Sequence, residues 1–198
     1  MLICGIDEAG RGPLAGPVVA AGFINTNNFF NDSIKDSKKL NEAQRENLFD
    51  EIVNSGGEFF ITKIEHDIID EINILASTMR AMGEIAFSLK DKCAKFLIDG
   101  KYFKLENGRE SELNFETIVD GDDKIFEISC ASILAKVTRD RIMKKHDEIY
   151  PQYKFAKHKG YGTKEHIALI KEFGLSPIHR KTFCRNFTVE NAKQILHI

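Results

Sequence analysis

The chain has 198 residues, 42% of them hydrophobic, and a formal net charge of −2. That length suits one domain with a substantial core. The near-neutral charge argues against a wholesale electrostatic nucleic-acid binder, and no apolar run approaches the roughly 20 residues a membrane helix needs. Cys4, Cys93, Cys130 and Cys184 form no CxxC pair and have no His partner at metal spacing, which excludes a zinc module and predicts reduced thiols in the cytoplasm.

Met1 leads straight into the chain's first strand with no basic region before it, so no secretory leader is expected. Leu2 to Ile6 reads as a buried strand that runs out into two adjacent carboxylates, Asp7 and Glu8. A glycine-rich turn follows, Gly10-Arg11-Gly12-Pro13-Leu14-Ala15-Gly16. It matches the dinucleotide fingerprint formally, but Pro13, Gly16 and Pro17 spoil the helix that fingerprint must open, and Val18 to Ile24 reads as a second strand. No GK[ST] follows, so a P-loop is excluded as well.

A polar loop ends in Asp36-Ser37-Lys38-Lys39-Leu40. Asn41 and Gln44 form a capping-box signature for a helix that stops at Ser55-Gly56-Gly57. Glu58 to Glu65 predicts a third strand, a short helical turn is expected around Asp67 to Glu71, and a longer helix from Asn73 carries Leu75, Met79, Met82, Ile85, Ala86 and Leu89 at helical spacing. Ala94 to Ile98 is a further apolar run ending in Asp99-Gly100, and Thr117 to Val119 is a brief strand running into Asp120-Gly121-Asp122-Asp123. A long helix is expected from Ser129, a loop over Lys157 to Thr163, a helix capped by Thr163 and stopped by Gly174, an extended basic segment over Pro177 to Phe187, and a last helix from Asn186.

Two features bear on chemistry. A buried strand ends in acids only where they meet water, a cation or a partner, and hard divalent cations take carboxylate oxygens. If the strands of Ile6 and Ile98 lie side by side in one sheet, Asp7, Glu8 and Asp99 converge at one edge; alone, Asp99-Gly100 would read as a turn. Separately, residues 154 to 185 hold eight Lys or Arg against two acids, with interleaved aromatics, a pattern that tracks a phosphate backbone or forms a solvated face.

The motifs Gly5-Ile6-Asp7-Glu8-Ala9-Gly10-Arg11-Gly12, Asp36-Ser37-Lys38-Lys39-Leu40, Leu97-Ile98-Asp99-Gly100, Ser132-Ile133-Leu134-Ala135-Lys136-Val137-Thr138-Arg139-Asp140 and His158-Lys159-Gly160-Tyr161-Gly162-Thr163 together resemble bacterial ribonuclease HII, in register from residue 2 to about residue 187. The resemblance implies a single catalytic domain over residues 1–198 of the α/β class. Its fold would be a ribonuclease H-like mixed central β-sheet flanked by helices, with a helical C-terminal extension, residues 150–198 forming a basic substrate-binding part. It implies an endonuclease that cuts the RNA strand of RNA–DNA hybrids and incises 5′ to single ribonucleotides embedded in DNA, leaving 5′-phosphate and 3′-hydroxyl ends.

By resemblance, Asp7, Glu8 and Asp99 match the metal-binding carboxylates. Asp122 matches the fourth, with Asp123 as an alternative in this unusually acidic stretch. Together they would hold two Mg²⁺ or Mn²⁺ ions. Gly10, Arg11 and Gly12 match the turn whose backbone reads the 2′-hydroxyl, and Tyr161 the ring that packs on the adjacent deoxyribose. Lys38, Lys39, His158, Lys159 and Arg180 are candidate phosphate contacts, while Asp140 and Cys130 are read as structural. Nothing in the sequence demands more than a monomer, and no membrane partner is expected.

Overall fold

A computed structural model describes residues 1–34 and 40–187. Lys38 and Lys39, and the last helix beyond Phe187, therefore lie outside the described residues. Five strands, β1 (Ile3–Ala9), β2 (Val18–Ile24), β3 (Glu58–Ile64), β4 (Lys95–Asp99) and β5 (Phe115–Ile118), form one sheet in the order β3-β2-β1-β4-β5. The pairs β1–β2 and β2–β3 are antiparallel, whereas β1–β4 and β4–β5 are parallel, so the sheet is mixed.

Strand alternation divides the core into two layers. On β2, Val18, Ala20 and Ile24 pack with Ile85, Met82 and Leu89 of α3 (Ile74–Leu89), while Val19, Ala21 and Phe23 pack with α1 (Glu42–Asn54) and α4 (Phe126–Ile149) on the other face. Burial on both faces explains why this strand reads as an unbroken apolar run. The short α2 (His66–Ile72) precedes α3, and α1 opens with the expected capping box of Asn41 and Gln44. Among the described residues no helix is long and apolar enough to cross a membrane.

Several element boundaries differ from the sequence reading, β5 for instance starting at Phe115 rather than Thr117, and two of them bear on the site. β1 continues to Ala9, because Asp7, Glu8 and Ala9 pair with Ala21, Ala20 and Val19 of β2; the acids sit within the strand rather than beyond it. α4 begins at Phe126, three residues before Ser129, and its first turn lies so close to Gly5 that a Cβ there would stand 2.2 Å from the Glu127 carbonyl carbon.

The C-terminal part packs on the turn after β1. Thr163 caps α6 (Lys164–Phe173) as expected, preceded by the one-turn α5 (Phe155–His158). The segment 177–187 is a run of turns rather than an extended arm: His179, Phe183, Cys184 and Phe187 each donate a backbone bond to a residue three or four earlier. Asp70 of α2 tethers it, accepting from the backbone N–H groups of Lys181 and Thr182 at 2.7 and 3.0 Å and from the Thr182 hydroxyl.

Candidate active site

The parallel register Ile6↔Ile98 leaves Asp7 and Asp99 as the next residues on neighbouring strands. Carboxylate oxygens of Asp7, Glu8 and Asp99 lie within 4.8 Å of one another. Asp7 is buried on the α4 side of the sheet, where the nearby Ser132 hydroxyl favours its charged form and the Glu8 backbone N–H donates to Oδ1 at 2.7 Å. Burial, and then the neighbouring Glu8 charge, pushes the Asp7 carboxyl well above the usual carboxylate range. Glu8 is also raised, chiefly by burial, although the Arg11 guanidinium beside it opposes this from 3.3 Å.

Asp99 is oriented from the other side, its Oδ1 accepting from the Gly121 backbone N–H at 2.7 Å. The short helical turn Gly121–Asp123 thus abuts the acid cluster, with Asp122 half-buried on it and its carbonyl accepting from the Ser129 hydroxyl at 2.6 Å. The Asp122 carboxylate does not fall within the group of three that converge.

Beside the acids lies an exposed floor of Arg11 and Gly12, faced by the Tyr161 ring, which is 43% exposed. A Cβ placed on Gly12 would find its nearest neighbour, Tyr161 Cε1, at 3.8 Å. The turn and the Tyr161 loop are stitched together by Leu14 N–H donating to Gly160 O at 2.8 Å.

A model of the ribonuclease HII family matches residues 4–186. The chain belongs to the ribonuclease HII family. It is 52% identical over 183 residues to the ribonuclease HII of Francisella tularensis subsp. novicida, an alignment spanning 92% of this chain and 96% of that protein. Its fold is similar to ribonuclease H2 from Pyrococcus horikoshii, with a TM-score of 0.75, 26% identity, and coverage of 98% of this chain and 100% of that one. The ribonuclease HII of Archaeoglobus fulgidus, solved in complex with PCNA, gives a TM-score of 0.76 at 26% identity over 91% and 94% of the two chains. As a ribonuclease HII, the protein is a ribonuclease H-type endonuclease, and its mixed, helix-flanked sheet is the family's architecture.

Three residues expected at the phosphate surface occupy other places in this ribonuclease HII. Arg180 is 0% exposed, and its guanidinium donates to the carbonyls of Gly16, Arg11 and Gly10 at 2.9, 2.9 and 2.7 Å. His158 is buried, stacked on His166 with ring centroids 4.2 Å apart. Lys159 is buried too, its ammonium donating to Ala156 O and paired with Glu42 at 3.3 Å. Nearby, Lys154 and Lys157 are both engaged by Glu165. Basic residues in this stretch therefore serve internal carbonyls and acids as much as the outside, something a charge count does not distinguish. Asp140, as read, is structural: it is buried against the Lys136 ammonium at 2.6 and 2.7 Å.

The sequence reading missed Ser132 and Arg139. Ser132 had a signal, lying within the Ser132 to Asp140 motif, on the α4 face that meets β1. Arg139 is buried, donating to Pro17, Lys159 and Ala15 carbonyls at 3.0, 3.0 and 3.1 Å.

Proposed function

We propose that this endonuclease hydrolyses the RNA strand of RNA–DNA hybrids and incises 5′ to single ribonucleotides embedded in duplex DNA, leaving 5′-phosphate and 3′-hydroxyl ends. The observation that carries this reading is the convergence of Asp7, Glu8 and Asp99 within 4.8 Å, beside the exposed Arg11-Gly12 turn and Tyr161.

The donor set fits a hard divalent cation: all oxygen, carboxylate, and electrostatically frustrated, since burial and mutual repulsion push the Asp7 and Glu8 carboxyls up. In the proposal Asp7, Glu8 and Asp99 hold Mg²⁺ or Mn²⁺, joined by Asp122 from the adjoining turn. When bound, two such ions supply an activated water and charge stabilisation at the leaving 3′-oxygen.

The chain's own residues do the rest. Ser132 favours the charged form of the Asp7 carboxylate, and the Gly121 N–H holds Asp99. Arg11 engages Glu8 in the free protein and is placed to turn to a phosphate when substrate arrives. The backbone of Gly10 to Gly12 takes the 2′-hydroxyl, the feature by which ribose differs from deoxyribose, while the Tyr161 ring covers the neighbouring deoxyribose. Residues 150–187 form one domain with the strands by packing Tyr153, Phe155 and Ile178 with Ala15 and Met143.

The test is cleavage of an end-labelled DNA duplex carrying one ribonucleotide, in Mg²⁺, in Mn²⁺ and in chelator. A metal-dependent cut on the 5′ side of the ribonucleotide, leaving a 3′-hydroxyl, is expected. Cleavage of long hybrid alone removes the embedded-ribonucleotide activity from the proposal, and cleavage that persists in chelator removes the metal.

A further inference from the structure

The two buried arginines beside the site have no carboxylate bonded to either guanidinium among the described residues; their printed acceptors are carbonyl oxygens. Burying such charges is costly unless the donors are satisfied and the arrangement is needed. What Arg180 satisfies is specific. Its guanidinium draws in the carbonyls of Gly10 and Arg11 at 2.7 and 2.9 Å, two successive peptide groups of the exposed turn, and Gly16 O at 2.9 Å closes the loop behind them.

Every described peptide is trans. In a trans peptide the C=O and the next residue's N–H lie in one plane and point oppositely. With the Gly10 and Arg11 carbonyls turned in to Arg180, the N–H groups of Arg11 and Gly12 are turned out, as a pair of adjacent donors on exposed residues. Gly12 leaves these donors uncovered: nothing stands within 3.8 Å of where its Cβ would be. The position of Arg180 itself is fixed independently of substrate. Its own N–H donates to Leu14 O at 2.8 Å, Ala15 bridges His179, and Arg139 packs on Gly10, where a Cβ would lie 2.2 Å from Nε.

We infer that Arg180 is a positioning residue for sugar discrimination: buried beneath the Gly10–Gly12 turn, it orients two peptide planes so that their N–H groups meet a ribose 2′-oxygen. This rests on the proposed function and deepens it, since the residue selects the sugar without touching it. Burial, and then the nearby Arg139 charge, lowers the Arg180 guanidinium to about 9, so it remains a charged donor at neutral pH.

Binding of two labelled duplexes, one with a single ribonucleotide and one all DNA, tests this. Ca²⁺ replaces the catalytic ion, and duplex integrity is checked on a gel. The wild type is expected to bind the ribonucleotide duplex more tightly. Arg180→Met is expected to cut that ratio at least tenfold while changing all-DNA affinity less than twofold, with Arg180→Lys intermediate. Equal weakening toward both duplexes, with a shallower salt dependence, would make Arg180 a source of charge and overturn the inference, as would wild-type discrimination in Arg180→Met. Should Arg180→Met be unfolded by circular dichroism, Arg180→Ala refolded in millimolar guanidinium takes its place. Discrimination regained with added guanidinium supports the inference, and a folded, guanidinium-bound variant without it refutes it. A wild type that binds both duplexes equally fails the proposed function itself, before Arg180 enters.

Discussion

The Nε2 atoms of His166 and His179 lie 3.0 Å apart, so one imidazole must donate and the other accept. Tyr161 O lies 2.9 Å from His166 Nδ1, which must therefore carry the proton; Nε2 of His166 then accepts, and Nε2 of His179 donates. His179 Nδ1 is left to accept from the Ser176 N–H at 2.8 Å. Both rings are neutral in this network, and protonating either breaks it.

Acid should dismantle that network. Burial lowers His166 and His179 each to about 4, so their folded values lie below the unfolded one. Stability from such groups is complete above about pH 6.5 and is lost as pH falls from there toward 4, by on the order of 3 kcal/mol per imidazole at the limit. Asp7 and Glu8, raised by burial, act oppositely in the same window. Thermal melts from pH 7.5 to 4 are expected to fall more gently in His166→Asn, whose amide can still donate to Tyr161 O, and more steeply in Asp7→Asn.

Asp7→Asn should separate folding from chemistry. It removes a buried carboxyl whose charge is opposed by burial and by Glu8, so the metal-free variant is expected to melt higher than wild type at pH 7. Cleavage should fall below detection, and the rise in melting temperature that millimolar Mg²⁺ gives the wild type should shrink. Unchanged turnover would remove Asp7 from the proposed metal site.

Gly12→Ala and Tyr161→Ala should spare the fold and damage substrate handling. Gly12 has room for a methyl and an ordinary φ, so alanine there is expected to leave stability unchanged or raise it by up to about 1 kcal/mol. Its methyl would cover the donors, and cleavage efficiency on a ribonucleotide duplex should drop at least tenfold. Tyr161→Ala trims an exposed ring whose backbone carbonyl still binds His166, so melting should shift by no more than about 0.5 kcal/mol. Affinity for the ribonucleotide duplex should fall about tenfold, the loss of one ring stacked on substrate.

Gly5→Ala should do the reverse. The added Cβ would meet the Glu127 carbonyl carbon at 2.2 Å and the Ile128 nitrogen at 2.3 Å, backbone atoms that move only if α4 lifts from β1. A loss of about 3 kcal/mol in a denaturant melt is expected. Because α4 also carries Ser132 beside Asp7, residual activity should show an acid limb shifted to higher pH, as Asp7 loses the hydroxyl that favours its charged form.

Much of this was legible in local pattern. Short apolar runs located the strands and period-3.6 apolar spacing the longer helices, the Asn41–Gln44 box and the Thr163 and Gly174 caps marked helix ends, and motif order carried the family. Boundaries slipped where tertiary pairing decided them: β2 holds β1 in ladder through Ala9, and the open backbone at Gly5 lets α4 start early.

The sequence by itself determined which residues carry acid, which apolar runs end in them, and what chemistry oxygen donors in that number can support, because covalent order and apolar periodicity are local properties; that β1 and β4 lie side by side was decided by the fold. Only the tertiary structure decided which cations face solvent. Arg180, His158 and Lys159 carry the same chemical labels as surface phosphate ligands, yet carbonyls from residues up to 170 positions away, a carboxylate and a neighbouring imidazole claim them. A buried donor goes to whichever acceptor the fold places within reach, and that placement is set by long-range packing, which no local spacing encodes.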